Sequence, residues 1–121
     1  MSIDYSDMAF PKPVKRKKKK KHMKSILRTV KGICYICAND LGDYSHKKTE
    51  EHHIRFGSGL RDISEAAGLI VNLCIPHHRT GPDAAHNNKD TRIKLCRIAQ
   101  TEFEKTNSRA EWMRISGRNY L

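Results

Sequence analysis

Cysteine and histidine side chains recur at short spacings in this sequence. Cys34 and Cys37 are separated by two residues, and Cys74 is followed three and four residues later by His77 and His78. A two-residue gap lets a tight turn point both sulfurs at one ion, and residues three or four apart share a face of a helical turn. The sequence therefore predicts a tetrahedral zinc site made of three cysteines and one of the two histidines.

Four unrelated buried thiols are the alternative to a zinc site. Only 37% of the 121 residues are hydrophobic, so the core is small and needs further support. Structural zinc contributes about 10–16 kcal/mol of apparent binding energy in small peptides, which is large beside typical domain stabilities. We therefore expect folding to depend on the metal.

A second pair of histidines, His52 and His53, predicts a further metal site. Neighbouring residues on a helix point about 100° apart, so His77 and His78 cannot both bind the zinc. The one that zinc leaves over is expected to join His52 and His53 at a second divalent cation, where three imidazoles make a metal-activating centre. The spacing alone leaves open which of His77 and His78 binds which ion.

The remaining cysteine, Cys96, lies with Ile93, Ala99 and Phe103 at spacings of three and four residues. This periodicity predicts one apolar helical face. A buried free cysteine behaves as a small hydrophobe, so we expect Cys96 in the core, with metal ligation as the alternative.

The cysteines also bear on the compartment. The opening stretch MSIDYSDMAFPKP is acidic and polar rather than a signal peptide, and no apolar run is long enough to span a membrane. We therefore expect a cytoplasmic, intracellular protein with thiolates instead of disulfides and with no membrane partner.

The elements that must position these ligands follow from local patterns. ILRTVKGICYIC is β-branched and predicts a short strand entering a cysteine turn, while EEHHIRF and LIVNLC predict two further strands. RDISEAAG between them predicts a short helix that ends at Gly68. The two strands around this insert are expected to pair antiparallel.

Two C-terminal helices complete the predicted α+β fold. The first runs from about Lys89 to Lys105, with its apolar face toward the core. The second begins at Ser108, where Glu111 completes a capping box, and ends at Gly117. Trp112 and Ile115 are expected to pack this helix against the core.

Positive charge is concentrated near the start of the chain. The net charge is +11, and nine of the 24 Lys and Arg residues lie between residues 12 and 24. Residues 25–121 keep 15 basic and 11 acidic residues, a net charge of +4. We predict a disordered basic arm over residues 1–24 and one domain over residues 25–121. The arm is either a solvated tail or a phosphate-binding segment, whose candidate contacts are Lys15, Arg16, Lys17, Lys18, Lys19, Lys20 and Lys21.

Together these motifs resemble the HNH endonucleases, or ββα-metal nucleases, and in particular the small HNH-like proteins of bacteriophages and prophages. The resemblance rests on the CYIC, EHHI and LCIPHH segments, with support from GPDAAHNN and the closing SGRNYL, and covers about residues 24–121. It implies a zinc-stabilised ββα-metal core, DNA as the partner, and phosphodiester hydrolysis with Mg²⁺ or another divalent cation.

The resemblance also implies a role for each histidine of the motifs. His52 would ligate the catalytic cation and His53 would be the general base that deprotonates water. His77 would be the fourth zinc ligand, and His78 would be the second ligand of the catalytic cation. One departure supports an alternative, a catalytically degenerate nucleic-acid-binding protein: Leu69 stands where the family usually has its middle asparagine.

Several charged and polar residues near the motifs have two interpretations. Arg55, Arg61 and Arg79 flank the motifs and either hold phosphates or are ordinary surface charge. Glu51 is a candidate to orient an imidazole. His86, which precedes Asn87 and Asn88, either belongs to a loop that caps the next helix or assists the metal site.

Overall fold

The computed structural model describes residues 23–57 and 59–121. Its elements in chain order are α1 (Tyr35–Leu41), β1 (Thr49–His53), α2 (Leu60–Ala67), β2 (Ile70–Cys74), a π-helical turn (Pro76–Thr80), α3 (Lys89–Phe103) and α4 (Arg109–Ser116). Helices around a two-stranded antiparallel sheet make this the α+β fold that the sequence predicts. The basic arm, including residues 15–21, lies outside the described residues except for residues 23 and 24. None of the helices in the described ranges is long and apolar enough to cross a membrane.

The two strands pair antiparallel, as predicted. Thr49 is opposite Cys74 and His53 is opposite Ile70. α2 connects them and ends at Gly68, whose φ of 73° lies in the left-handed region. A Cβ at Gly68 would lie 2.5 Å from the carbonyl oxygen of Lys24, so this tight connection requires glycine.

The short strand predicted to lead into the cysteine turn within residues 26–37 is wrong. Only one isolated bridge, between Val30 and Ile33, occurs in this part of the described chain, and Cys37 lies inside helix α1. The physical reason is a cap: the Cys34 sulfur accepts a hydrogen bond from the Cys37 backbone N–H at 3.4 Å and starts the helix. The helical turn keeps both sulfurs on one face.

The C-terminal helices form as the sequence predicts. Asn88 caps α3 by accepting from the Thr91 N–H at 3.1 Å, and Ser108 caps α4 by accepting from the Glu111 N–H at 3.0 Å. α4 ends before Gly117, whose φ is 77°. The cap residues therefore fix these helix ends locally, before any packing is considered.

The hydrophobic core lies between the sheet and the two C-terminal helices. Trp112 is fully buried and contacts Phe103 edge to face, with ring centroids 5.5 Å apart. Leu69 of the strand connection is also fully buried. Cys96 is buried beside them, with its sulfur 3.7 Å from the Ile54 carbonyl oxygen, so this cysteine belongs to the core and not to a metal site.

The N-terminal segment before α1 packs on the strand connection. Met23 donates its N–H to the Glu65 carbonyl at 3.1 Å, and Ile26 donates to the Gly68 carbonyl at 3.0 Å. The folded part therefore includes residues 23 and 24, which precede the predicted domain boundary.

Candidate metal centres

One cysteine and histidine cluster brings together Cys34, Cys37, Cys74 and His77. The three sulfurs lie 3.3–3.5 Å from the His77 Nδ1, and the Cys37 and Cys74 sulfurs are 3.9 Å apart. A tetrahedral zinc with Zn–S bonds of about 2.3 Å separates its sulfurs by roughly 3.8 Å. The donor set and its spacing therefore fit a metal ion such as zinc, and His77 is the histidine that completes the set.

The electrostatics of these sulfurs bear on cation binding. Burial, together with the neighbouring sulfurs of Cys34 and Cys74, raises the pKa of the Cys37 thiol to about 12. Burial also raises the pKa of Cys74, whereas at Cys34 the effect of burial is outweighed by hydrogen bonds from Cys74 and Cys37, so that its pKa is lowered. Three thiolates would repel one another here, so the protonated thiols are preferred when no cation is bound. A divalent cation reverses the preference, because it stabilises the thiolates that bind it. Metal binding at this centre must therefore release protons and weaken in acid.

A second cluster consists of His52, His78 and His86, whose ring nitrogens lie within 4.8 Å of one another. The Nε2 atoms of His78 and His86 are 3.1 Å apart, and the His52 ring centroid lies 5.2 Å and 5.1 Å from the other two. These three imidazoles, drawn from β1, the π-helical turn and the loop before α3, therefore converge on one point.

His52 is the most informative member of this cluster. Its side chain is 1% exposed, and both ring nitrogens are buried without a hydrogen-bond partner in the described structure. Burial, together with the positive charge that His78 and His86 carry when protonated, lowers the pKa of His52 to about 3. The imidazole therefore stays neutral, with a lone pair that a cation can accept. Orphaned buried polar atoms are rare and costly, so the donor set fits a metal ion.

The carboxylate of Glu50 orients His78. One oxygen lies 2.7 Å from the His78 Nδ1, and Arg79 donates to both oxygens of the same carboxylate at 2.9 and 2.7 Å. Arg79 and then His78 lower the pKa of Glu50 to about 2, so the carboxylate is ionised. This contact leaves the His78 Nε2 facing the cluster, as outer partners of metal ligands do. The structure therefore gives this role to Glu50 and not to the predicted Glu51.

Backbone hydrogen bonds after β2 shape the turn that carries His77 and His78 and the loop that follows it. The Gly81 N–H closes the π-helical turn on the Pro76 carbonyl at 2.9 Å. A Cβ at Gly81 would lie 2.6 Å from that oxygen. The following loop then folds back, because the His86 N–H donates to the His78 carbonyl at 3.1 Å. This last contact carries His86 to the second cluster.

Both interpretations of the segment around His86 hold. Asn88 caps α3, and the Asn87 side chain donates to the Arg79 carbonyl at 2.7 Å, while His86 joins His52 and His78. The sequence offered the metal-site role of His86 only as one of two interpretations, and its one signal is a third histidine eight residues after His78.

His53 was predicted both as the third imidazole of the second metal site and as the general base. The first prediction is wrong, because His86 takes that place in the cluster and His53 lies beside it. Its Nε2 is 2.9 Å from the Glu65 carboxylate, which leaves Nδ1 as the nitrogen able to accept a proton. His53, His78, His86 and Arg61 line one cleft of about 310 Å³. β1 ends at His53, which removes the requirement that adjacent strand residues serve opposite faces.

Leu69, at which the resemblance to the HNH endonucleases predicts an asparagine, has an apolar side chain. Leu69 is fully buried, and its carbonyl accepts from the Ile54 N–H at 2.9 Å. Asn72 contacts Thr29 instead, at 3.3 Å. Ser64 braces the segment after β1, because its hydroxyl donates to the Arg55 carbonyl at 2.6 Å and accepts from the Arg55 N–H at 2.9 Å.

The three flanking arginines have different surroundings. Arg79 is paired with Glu50. The Arg55 guanidinium donates to the Tyr120 hydroxyl at 2.6 Å and to the Ser116 carbonyl at 2.7 Å, so it ties down the C-terminal segment. Arg61 is 69% exposed and lines the cleft, which makes it the flanking arginine best placed to meet a ligand there.

Comparison of the chain with protein-family models, with curated proteins and with solved structures finds no match in any of the three. The two centres are therefore interpreted from their own geometry.

Proposed function

We propose that this protein is a metal-dependent DNA endonuclease with an HNH-like, zinc-stabilised ββα-metal core. The observation that carries the proposal is the convergence of three imidazoles, one of them buried with both nitrogens unpaired, beside a cleft that also holds His53. A structural role would pair those nitrogens with other protein groups. A ligand role explains why they are left without such partners.

The donor set also bears on the cation. His52, His78 and His86 offer only imidazole nitrogens. The carboxylate hydrogen-bonded to His78, that of Glu50, is also engaged by Arg79, while Glu51 lines the adjoining cleft. Imidazole suits Zn²⁺, Ni²⁺ and similar ions, whereas Mg²⁺ prefers carboxylate and water oxygens. A transition-metal dication therefore fits this centre better than Mg²⁺.

The residues of the cleft divide the hydrolytic step between them. The bound cation would supply Lewis-acid stabilisation of the phosphate and the leaving oxygen. His53 accepts the proton of the attacking water through Nδ1, because Glu65 holds Nε2. The water oxygen forms the new P–O bond as the bond to the leaving oxygen breaks. Arg61, at the rim of the cleft, is placed to contact the non-bridging oxygens.

A catalytically degenerate nucleic-acid-binding protein is the second candidate. Leu69 favours it, since a polar residue is expected at that position in an active member of the family that the sequence resembles. The hydroxyl of Ser64 supports the first candidate, because it holds the backbone after His53 from another direction.

A plasmid-nicking assay separates the two candidates. Zinc-loaded protein is incubated with supercoiled DNA and with Mg²⁺, Mn²⁺, Ni²⁺ or EDTA. His53→Ala is expected to lower the nicking rate about 10²–10⁴-fold, the usual contribution of a general base. His46→Ala is the matched control, because His46 is exposed and belongs to neither centre. Equal cleavage by wild type and His53→Ala would remove the enzyme proposal.

A further inference from the structure

A cavity beside the cleft is lined by basic and aromatic side chains. Its volume is about 210 Å³, and it is formed at the junction of the segment after β1, the start of α3 and the C-terminal segment. Four of its lining residues are cationic and none is acidic. The cationic and aromatic members are Arg55, Phe56, Lys89, Arg92, Arg118 and Tyr120. Such a concentration of one charge in a concave site attracts anions.

Within the described residues, no carboxylate forms an ion pair with these four cations. Within residues 23–57 and 59–121, the ion pairs of Lys and Arg involve other residues. The Nε of Arg55 is also buried without a hydrogen-bond partner in the same ranges. Cations that are clustered and unpaired repel one another, so an anion in the cavity would relieve a cost that the fold itself leaves in place.

The start of α3 lies at the same cavity. Lys89 and Arg92 are in the first four residues of this helix, together with Asp90, which does not line the cavity. Backbone N–H groups at a helix N-terminus carry partial positive charge, so this helix end adds to the positive potential on the cavity side.

The guanidinium groups of the cavity are held in place. Those of Arg55 and Arg118 lie 5.4 and 5.2 Å from the centre of the Tyr120 ring. Arg92 donates from Nη1 to the Ala85 carbonyl at 3.2 Å. Anchored arginines lose less conformational entropy when they bind a phosphate, so this cavity is partly organised for such a ligand.

Phe56 connects the cavity to the histidine centre. It lines both the cavity and the cleft, and its ring centroid lies 4.7 Å from that of His86 and 5.7 Å from that of His52. We propose that the cavity binds a phosphate group, namely the backbone phosphate next to the one at the histidine centre. The assignment to a nucleic-acid backbone rests on the proposed function, whereas anion binding itself does not. A free phosphate is the other source of the same chemistry.

The test uses full-length, zinc-loaded protein without added divalent cation. The variant is Lys89→Gln with Arg118→Gln, both exposed. The charge-matched control is Lys94→Gln with Lys105→Gln, whose side chains are exposed and lie outside the cavity. Inorganic phosphate is titrated while the Tyr120 amide is followed by NMR. A labelled single-stranded oligodeoxynucleotide is titrated by fluorescence anisotropy at several salt concentrations.

Wild type and the control are expected to show saturable phosphate shifts at Tyr120, and the variant is expected to lose them. The variant should bind the oligonucleotide roughly tenfold more weakly than the control. The slope of log affinity against log salt should fall by about 0.7, the value for one phosphate contact on a single strand. Together these results would establish a backbone-phosphate subsite.

Each contrary result has a distinct meaning. Phosphate shifts with equal oligonucleotide affinity in variant and control would overturn the backbone assignment in favour of a free phosphate. The absence of saturable shifts at Tyr120 in wild type would overturn the subsite altogether. Selective loss of oligonucleotide binding in the variant, with wild-type protein that never nicks DNA, would support the subsite while the nuclease proposal fails.

Discussion

Two neighbouring residues, His77 and His78, belong to two centres that differ in nearly every property that matters for a metal. The cysteine centre has three cysteine sulfurs and one imidazole, and its sulfurs are buried. The histidine centre has three imidazoles beside an open cleft. Structural zinc sites are closed by four protein ligands, whereas catalytic sites have three and keep a position for water or substrate. We propose on this basis that the cysteine centre maintains the fold and that the histidine centre carries out the proposed hydrolysis.

The largest expected effect comes from breaking the cysteine centre. Cys37→Ser, or removal of zinc by a strong chelator, is expected to unfold the protein, since structural zinc contributes about 10 kcal/mol or more. Circular dichroism and Trp112 fluorescence measure the loss. Cys96→Ala is the matched control, because this buried cysteine touches no metal centre, and we expect it to cost about 1 kcal/mol. A folded Cys37→Ser protein would show that the cluster does not hold the fold.

The next effect concerns the histidine centre alone. His52→Ala is expected to weaken binding of Ni²⁺ or Zn²⁺ at the second site by more than about 100-fold, because it removes a ligand directly. Zinc should stay at one per chain and the fold should persist. Isothermal titration measures the cation affinity of the second site, and elemental analysis measures the zinc content per chain. Unchanged binding in the variant would mean that His52 is not a ligand.

A smaller loss of cation affinity is expected when Glu50, which contacts His78, is changed. Glu50→Gln is predicted to lower affinity at the second site about 10–100-fold, the usual effect of losing an orienting group. Glu51→Gln is a close control, since Glu51 is the exposed neighbour on the same strand. The same titration compares them. If the two variants bound the cation equally, the contact between Glu50 and His78 would have no orienting role.

The smallest effect is on stability in acid. The pKa of His52 is lowered to about 3, chiefly by burial, so between that value and about 6.5 the unfolded chain binds more protons than the folded one. Stability is therefore greatest above pH 6.5 and falls as the pH drops toward 3, by of order 1 kcal/mol between pH 7 and 5. Urea unfolding without added second metal measures this. His52→Leu should show a weaker pH dependence, and identical curves for both proteins would refute the assignment.

Local patterns predicted most of the fold because the deciding interactions are local. The caps at Asn88, Ser108 and Gly117 set helix ends within a few residues. The one wrong element, the strand leading into the cysteine turn, failed because β-branched composition was weighed above the capping ability of Cys34. That capping bond forms only in the turn that also gathers the sulfurs.

The sites were less predictable because their contacts join distant segments. Spacing predicted the three cysteines of the cysteine centre but left open whether His77 or His78 completes it. His86 reaches its cluster through backbone hydrogen bonds to the π-helical turn. No periodicity in the sequence predicts the conformation of this loop. Glu50 was predictable in principle, because side chains two apart on a strand share a face. That rule places Glu50, and not Glu51, on the side of His52.

The most direct test of the account is an anomalous diffraction map from crystals soaked in Ni²⁺ and then in a mild chelator. We expect one peak among Cys34, Cys37, Cys74 and His77 that survives the chelator. We expect a second peak among His52, His78 and His86 that the chelator removes. A single peak at the cysteines, with no density among the three imidazoles, would show that the histidines do not form a metal centre.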